Sequence, residues 1–264
     1  MSTTRTVLMA LAVIACIVYP YVPVYADWQS TVKQGDELYA KRSDKDGRKE
    51  LEAAIKQYEA AVKEIPEKDE KARAGVYVKL SRAYYKIAQY FSQSDDDRSN
   101  MSDKGQKWAE KAIDIEPKNA EAHYYMGTNL GLWRSIHKAS FRGGLTGGGI
   151  KKEFQKAADL DPKGLYGQPD MRTAEYLLAR GDSQKALSYA KKAVEIQPKL
   201  LMNKLILAQA MWVTNDQMGS RKVLAEIAAQ SDDIIPSEIL ENRDTIKEAK
   251  QIQGNIANNN EPDW

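Results

Sequence analysis

Cysteine and histidine are almost missing. One Cys and two His, His123 and His137, stand in 264 residues. That supply excludes a disulfide framework, a CxxC redox pair, a haem-attachment motif and a Cys-rich zinc site. A surplus of charge is missing too: 39 Lys and Arg face 37 Asp and Glu, for a formal net charge of +2. Phosphate binding draws on a clustered excess of Lys and Arg, so nucleic acid is not an expected partner. Long apolar runs are confined to one place, residues 7–18. The remaining composition, 42% hydrophobic and 29% charged, is that of a water-facing chain rather than a multi-span membrane protein.

That apolar run follows a single base, Arg5, and leads to Pro20, Pro23 and the triplet Val24-Tyr25-Ala26. A positive start, an apolar middle and a small-x-small-like end are the parts of a secretory signal peptide. Residues 1–26 are therefore expected to be an export leader cut after Ala26, with a periplasmic destination. The alternative is a lipoprotein anchor, because Val13-Ile14-Ala15-Cys16 is similar to a lipobox; membrane attachment would then run through Cys16. Cleavage after Ala26 removes the only thiol and leaves 38 bases against 37 acids.

Self-similarity organises the rest. Four segments place a small residue five positions before a proline: Ala61-Val-Lys-Glu-Ile-Pro66, Ala112-Ile-Asp-Ile-Glu-Pro117, Ala157-Ala-Asp-Leu-Asp-Pro162 and Ala193-Val-Glu-Ile-Gln-Pro198. Upstream of each, apolar residues recur at three- and four-residue spacing, as in Leu51, Ala54, Ile55, Tyr58 and Ala61, which predicts an amphipathic helix. Proline then ends it, since it lacks an amide hydrogen and blocks the preceding helical turn.

The prolines lie 51, 45 and 36 residues apart. The last interval is close to the 34-residue tetratricopeptide unit, and the others are similar to that unit with insertions. The chain resembles that family over nearly all of residues 28–230. Gly181-Asp182 matches the inter-helix turn, Ala186 and Ala193 the small crossing positions, and His123, Met126, Gly127 and Leu130 a first helix. The resemblance implies an all-α, right-handed superhelix of stacked antiparallel helix pairs. About four to five repeats would fill residues 27–252, with a capping helix over 236–252 and a polar tail over 253–264.

The family binds ligands on the concave surface of its first helices. Carried over by position, that groove comprises Arg82 and Tyr85; Tyr124, Thr128 and Leu132; Met171, Glu175 and Leu178; and Met202, Leu205, Gln209 and Trp212. Its expected character is apolar and aromatic, with Arg82 the only cation. That character suits a protein partner's amphipathic helix or a hydrophobic ligand, not an acidic peptide C-terminus. Either an open groove or one filled by the terminal helix is compatible with the sequence.

A narrower resemblance concerns the T component of tripartite ATP-independent periplasmic transporters. It is carried by His123-Tyr-Tyr-Met-Gly-Thr-Asn-Leu-Gly, by Asp161-Pro-Lys-Gly-Leu-Tyr-Gly-Gln-Pro-Asp-Met-Arg172, and by Ile235-Pro-Ser-Glu-Ile-Leu-Glu-Asn-Arg243. It implies association with a transporter's solute-binding protein, and oligomers. The alternative is a general cell-envelope assembly scaffold.

Two insertions remain. Residues 92–102, rich in Ser and Asp, are expected to form a solvated loop, and Asn100-Met101-Ser102 is a formal glycosylation sequon. Gly143-Gly-Leu-Thr-Gly-Gly-Gly149 is followed by Ile150 rather than the Lys of a nucleotide-binding loop, so a hinge is expected. No metal, cofactor or catalytic motif is expected. An enzyme built on His137 and the glycine-rich segment is the remaining alternative.

Overall fold

The computed structural model describes residues 27–137, 146–262 and 264. The leader with Cys16, and residues 138–145 of the glycine-bearing insertion, lie outside them. Among the described residues there are eleven α-helices and no strand. They form five antiparallel pairs and one cap: α1 (Trp28–Ala40) with α2 (Gly47–Glu64), α3 (Glu70–Lys86) with α4 (Asp95–Ile115), α5 (Ala120–Ile136) with α6 (Thr146–Leu160), α7 (Gln168–Leu178) with α8 (Ser183–Ile196), α9 (Leu201–Val213) with α10 (Gln217–Ala228), and finally α11 (Ile239–Ala257). This is the expected all-α helical-repeat stack.

The recurring phrase explains the repeat. Ala61, Ala112, Ala157 and Ala193 are all fully buried, so second helices approach their neighbours at methyl-sized contacts. After Pro66 and Pro117, Asp69 and Asn119 accept the backbone N–H groups of Ala72 (3.1 Å) and Ala122 (2.9 Å), capping the next first helix. A glycine in the first helix meets an aromatic ring from the second. A Cβ on Gly127 would stand 2.6 Å from the Phe154 ring, so only glycine fits.

Three apolar clusters follow in sequence: one under α1–α6, one under α7–α9, and one joining α9, α10 and α11. Leu51, Leu80, Leu201 and Leu224 are fully buried. Each contributes about 1.5–3 kcal/mol relative to exposure.

Two expectations need correction. The loop expected over residues 92–102 is confined to 92–94, because α4 begins at Asp95. Ser94 accepts the Asp97 N–H (3.1 Å), and Asp95, Asp96 and Asp97 favour the positive end of the helix. The Asp97 carboxylate also pairs with Arg48 (2.5 Å), which holds it below the usual carboxylate range. The polar string is thus the solvated first turns of a helix. At the other end, α11 continues to Ala257, beyond 252, and Trp264 returns to stack near Trp212 with ring centroids 6.3 Å apart. Of the hinge expected over residues 143–149, residues 146–149 open α6, and 143–145 lie outside the described residues.

Candidate functional site

The stack closes on itself. Arg42, in the short turn Lys41–Ser43 after α1, reaches Glu241 on α11 (3.3 Å) and donates to the Ser237 carbonyl. Lys86 at the end of α3 meets the other Glu241 oxygen at 2.5 Å, and Arg243 donates to the Ser43 carbonyl (3.3 Å). The Glu241, Lys86 and Arg42 side chains are only 6%, 10% and 8% exposed. Burial opposes all three charges. Lys86 and Arg42 nevertheless hold Glu241 below the usual carboxylate range, and Glu241 helps hold Lys86 well above the usual lysine range. Glu238, three residues earlier, goes the other way: burial pushes its carboxyl up.

The segment from Pro236 through Glu241 therefore fills the middle of the concave face. Tyr85, Tyr124, Met171 and Met202 surround a void of only about 20 Å³ that also touches Glu238 and Glu241. Tyr124 donates to Gln168 Oε1 (2.6 Å) and packs edge-on to Tyr125, with burial pushing its phenol up. Next to it Arg82 lies half-buried, 4.1 Å above the Tyr39 ring. It lines a cavity of about 330 Å³ with Asp36, Arg42, Lys79, Lys86 and Glu238. Arg82 thus faces a cavity beside the filled centre, apart from the larger pocket between α5, α6 and α7.

The open part of the face lies between α5, α6 and α7. A pocket of about 460 Å³ has an apolar wall of Gly127, Gly131, Leu132, Ile150, Phe154 and Tyr176. The same lining carries Arg134, Arg172, Arg180 and Glu175, together with Tyr85 and Gln89. Arg172 donates to Glu175 (2.7 Å) and to the Tyr85 hydroxyl (2.6 Å). Burial opposes its charge, but Tyr85 and Glu175 raise its pKa well above the ordinary value. Arg180 stands over the Tyr176 ring at 5.8 Å. A Cβ on Gly131 would meet nothing within 4 Å, so the pocket floor is empty there.

Of the twelve residues expected to form the groove, Tyr85, Thr128, Leu132 and Glu175 line this pocket. Tyr124, Met171 and Met202 surround the filled centre. Leu205 is buried beneath α11, Leu178 packs within the α7–α9 cluster, and Trp212 lies against Trp264. Gln209 is half-buried on α9 and belongs to neither region. The expectation of a single cation is overturned, since three arginines line the open pocket. Their signal was present: Arg172, Glu175 and Tyr176 share one helical face, as do Gly127, Gly131 and Arg134.

The two histidines have separate uses. His123 is buried, with Nδ1 2.5 Å from Glu153 and Nε2 3.0 Å from the Pro117 carbonyl, which ties α5 to α6 and to the preceding turn. His137 Nε2 is 2.7 Å from Ser99 Oγ, and its ring lies 4.3 Å from Trp133. Ser99 sits inside α4, so this contact ties the end of α5 to α4. Among the described residues, no group of three or more His, Cys, Asp and Glu could hold a metal ion, and no helix is long and apolar enough to cross a membrane.

The profile of the family described as "Regulator of microtubule dynamics protein 1-3" matches residues 31–166, just over half of the chain. The chain belongs to this family. The matched region runs from α1 to the turn before α7, and so includes the α5 and α6 walls of the pocket. No curated protein matches the sequence. Among solved structures, a thermophilic TPR protein of Thermus thermophilus is similar at 15% identity and a TM-score of 0.61, covering 84% of this chain and 98% of that one. PilW, a type IV pilus biogenesis factor, is similar at 16% identity and a TM-score of 0.54, covering 87% of this chain and 94% of that one. At such identities the likeness establishes the fold alone, the tetratricopeptide-like stack.

Proposed function

We propose that this chain is an exported, non-catalytic scaffold that binds a protein partner in the pocket between α5, α6 and α7. The observation that carries the proposal is the contrast along the concave face. The chain's own segment fills the centre to a void of about 20 Å³, while a neighbouring cavity of about 460 Å³ stays open. Aromatic and aliphatic walls with a few convergent polar groups are what a binding pocket needs.

The partner favoured here is a solute-binding protein of a TRAP-type transporter. The resemblance of the runs at 123–131, 161–172 and 235–243 supports it; the first two carry residues of the pocket and the third carries the closing segment. The family's descriptive name speaks of microtubule dynamics. An exported chain leaves the compartment that holds microtubules, so that role is not part of the proposal.

The test is capture from envelope extract by the purified chain and by its Gly131→Leu variant. Leucine at 131 fills the pocket without touching other atoms at its Cβ. Recovery of a solute-binding protein by the parent and not by the variant supports the proposal. Recovery of assembly machinery instead favours an envelope scaffold, and capture indifferent to the variant refutes the pocket. Export is checked by the mature N-terminus, expected at Asp27; a diacylglycerol on Cys16 would show a lipid anchor instead.

A further inference from the structure

The pocket's walls also specify what it selects in a partner. Two guanidinium groups, on Arg172 and Arg180, stand beside the single carboxylate of Glu175, which leaves that edge positive. The same lining carries the apolar groups of Leu132, Phe154 and Tyr176 around Gly131. It therefore suits a ligand that combines an apolar group with an anion. The volume lies within the ~300–1,000 Å³ that accommodates such a group.

The filled half of the same face shows one solution. There the chain's own Pro236–Glu241 stretch sets Glu241 between Lys86 and Arg42 and brings Glu238 beside them. Tyr85 and Arg172 line both the filled centre and the open pocket, so the two are continuous. We infer that the open pocket takes a second acidic segment, supplied by the partner protein. A bulky apolar side chain of that segment sits over Gly131, and an Asp or Glu beside it faces the Arg172–Arg180 edge.

Complementarity decides against the other occupants. A basic segment is repelled by the surplus positive charge, and a purely apolar one leaves the arginine edge uncompensated. Arg180 is exposed at the rim over Tyr176, where it can meet an incoming carboxylate without loss of an ion pair to any described residue. This inference rests on the pocket being a protein-binding site, as proposed above.

The test uses an array of immobilised twelve-residue peptides of varied composition, probed with the purified chain. Bound peptides are expected to pair Asp or Glu with a neighbouring Phe, Trp, Leu or Ile. Changing the acid of a bound peptide to its amide is expected to weaken binding roughly tenfold, equivalent to about 1.4 kcal/mol. Arg180→Gln should remove much of that acid-over-amide preference while leaving amide peptides bound as before. Gly131→Leu should abolish binding of both. If Gly131→Leu abolishes binding but acid and amide peptides bind alike, the pocket reading stands and this inference falls. Binding that survives Gly131→Leu, or an array with no bound peptide, overturns it.

Discussion

Glu238 and Glu241 are one helical turn apart, and their removal should have opposite effects. Glu241 is buried between Lys86 Nζ (2.5 Å) and the Arg42 guanidinium (3.3 Å). Glu241→Gln keeps the shape and deletes the charge, which leaves two buried cations without their carboxylate. Removing one partner from a buried pair costs about 3–5 kcal/mol. That is a large share of the ~5–15 kcal/mol that holds a typical domain together. Glu238 differs because desolvation dominates and pushes its carboxyl up, so its charge at neutral pH is a burden. Glu238→Gln should be neutral or stabilising.

The sign with pH follows. Glu241, with its folded value lowered, contributes stability that is complete above its unfolded value of ~4.3 and is lost as pH falls through the folded value. Glu238, with its folded value raised, begins to destabilise as pH rises above ~4.3. Lys86 contributes fully below its unfolded value of ~10.4 and loses that contribution as pH rises through its raised folded value. The assay is urea unfolding followed by helical circular dichroism at neutral pH and again near pH 4. Repeat arrays can unfold in parts, so fluorescence of Trp212 and Trp264 serves as a second probe of the α9–α11 end. The network reasoning is refuted if Glu241→Gln lies within about 0.5 kcal/mol of the parent, as a plain surface change would. A Glu238→Gln variant less stable than Glu241→Gln would refute it equally.

Other consequences are simpler to read. Asn203 is buried on α9 and donates to the carbonyls of Tyr166 and Ala193, both at 2.9 Å; it thereby pins a turn in which Leu165 and Tyr166 have φ of 49° and 55°. Asn203→Ala should cost about 1–3 kcal/mol in thermal unfolding, since buried carbonyls lose their donor. Gly127→Ala forces a Cβ to within 2.6 Å of Phe154 and should destabilise by about 1–3 kcal/mol. Gly131→Ala, in open space on the same helix, should be neutral or gain about 0.5–1 kcal/mol. Ser94→Ala removes the cap of α4 and should cost about 1 kcal/mol, with faster amide exchange at Asp97.

The repeat was legible because its signals are local and periodic. Small residues at fixed distances from proline, and apolar residues at helical spacing, mark the helices wherever the chain is read. The resemblance to the tetratricopeptide family, not the periodicity, pointed to Tyr85, Thr128, Leu132 and Glu175 as groove positions, and these four line the open pocket. The periodic signals could not show that a helix begins at Asp95 within residues 92–102, since a solvated helical turn and a solvated loop have similar composition. The distinction lay in one cap, Ser94 on the Asp97 amide.

The sequence by itself determined a stack of helix pairs with a small-residue seam and a near-neutral surface. Only the tertiary structure decided which part of the concave face is available. Arg42 and Glu241 are 199 positions apart, and no periodic signal joins them. Their meeting depends on the summed curvature of five helix pairs, which brings the last helix back to the first. That closure covers Tyr124 and Met171 and leaves the arginine-edged pocket open. Local pattern specifies each repeat, but the angle accumulated between repeats specifies where the ends meet.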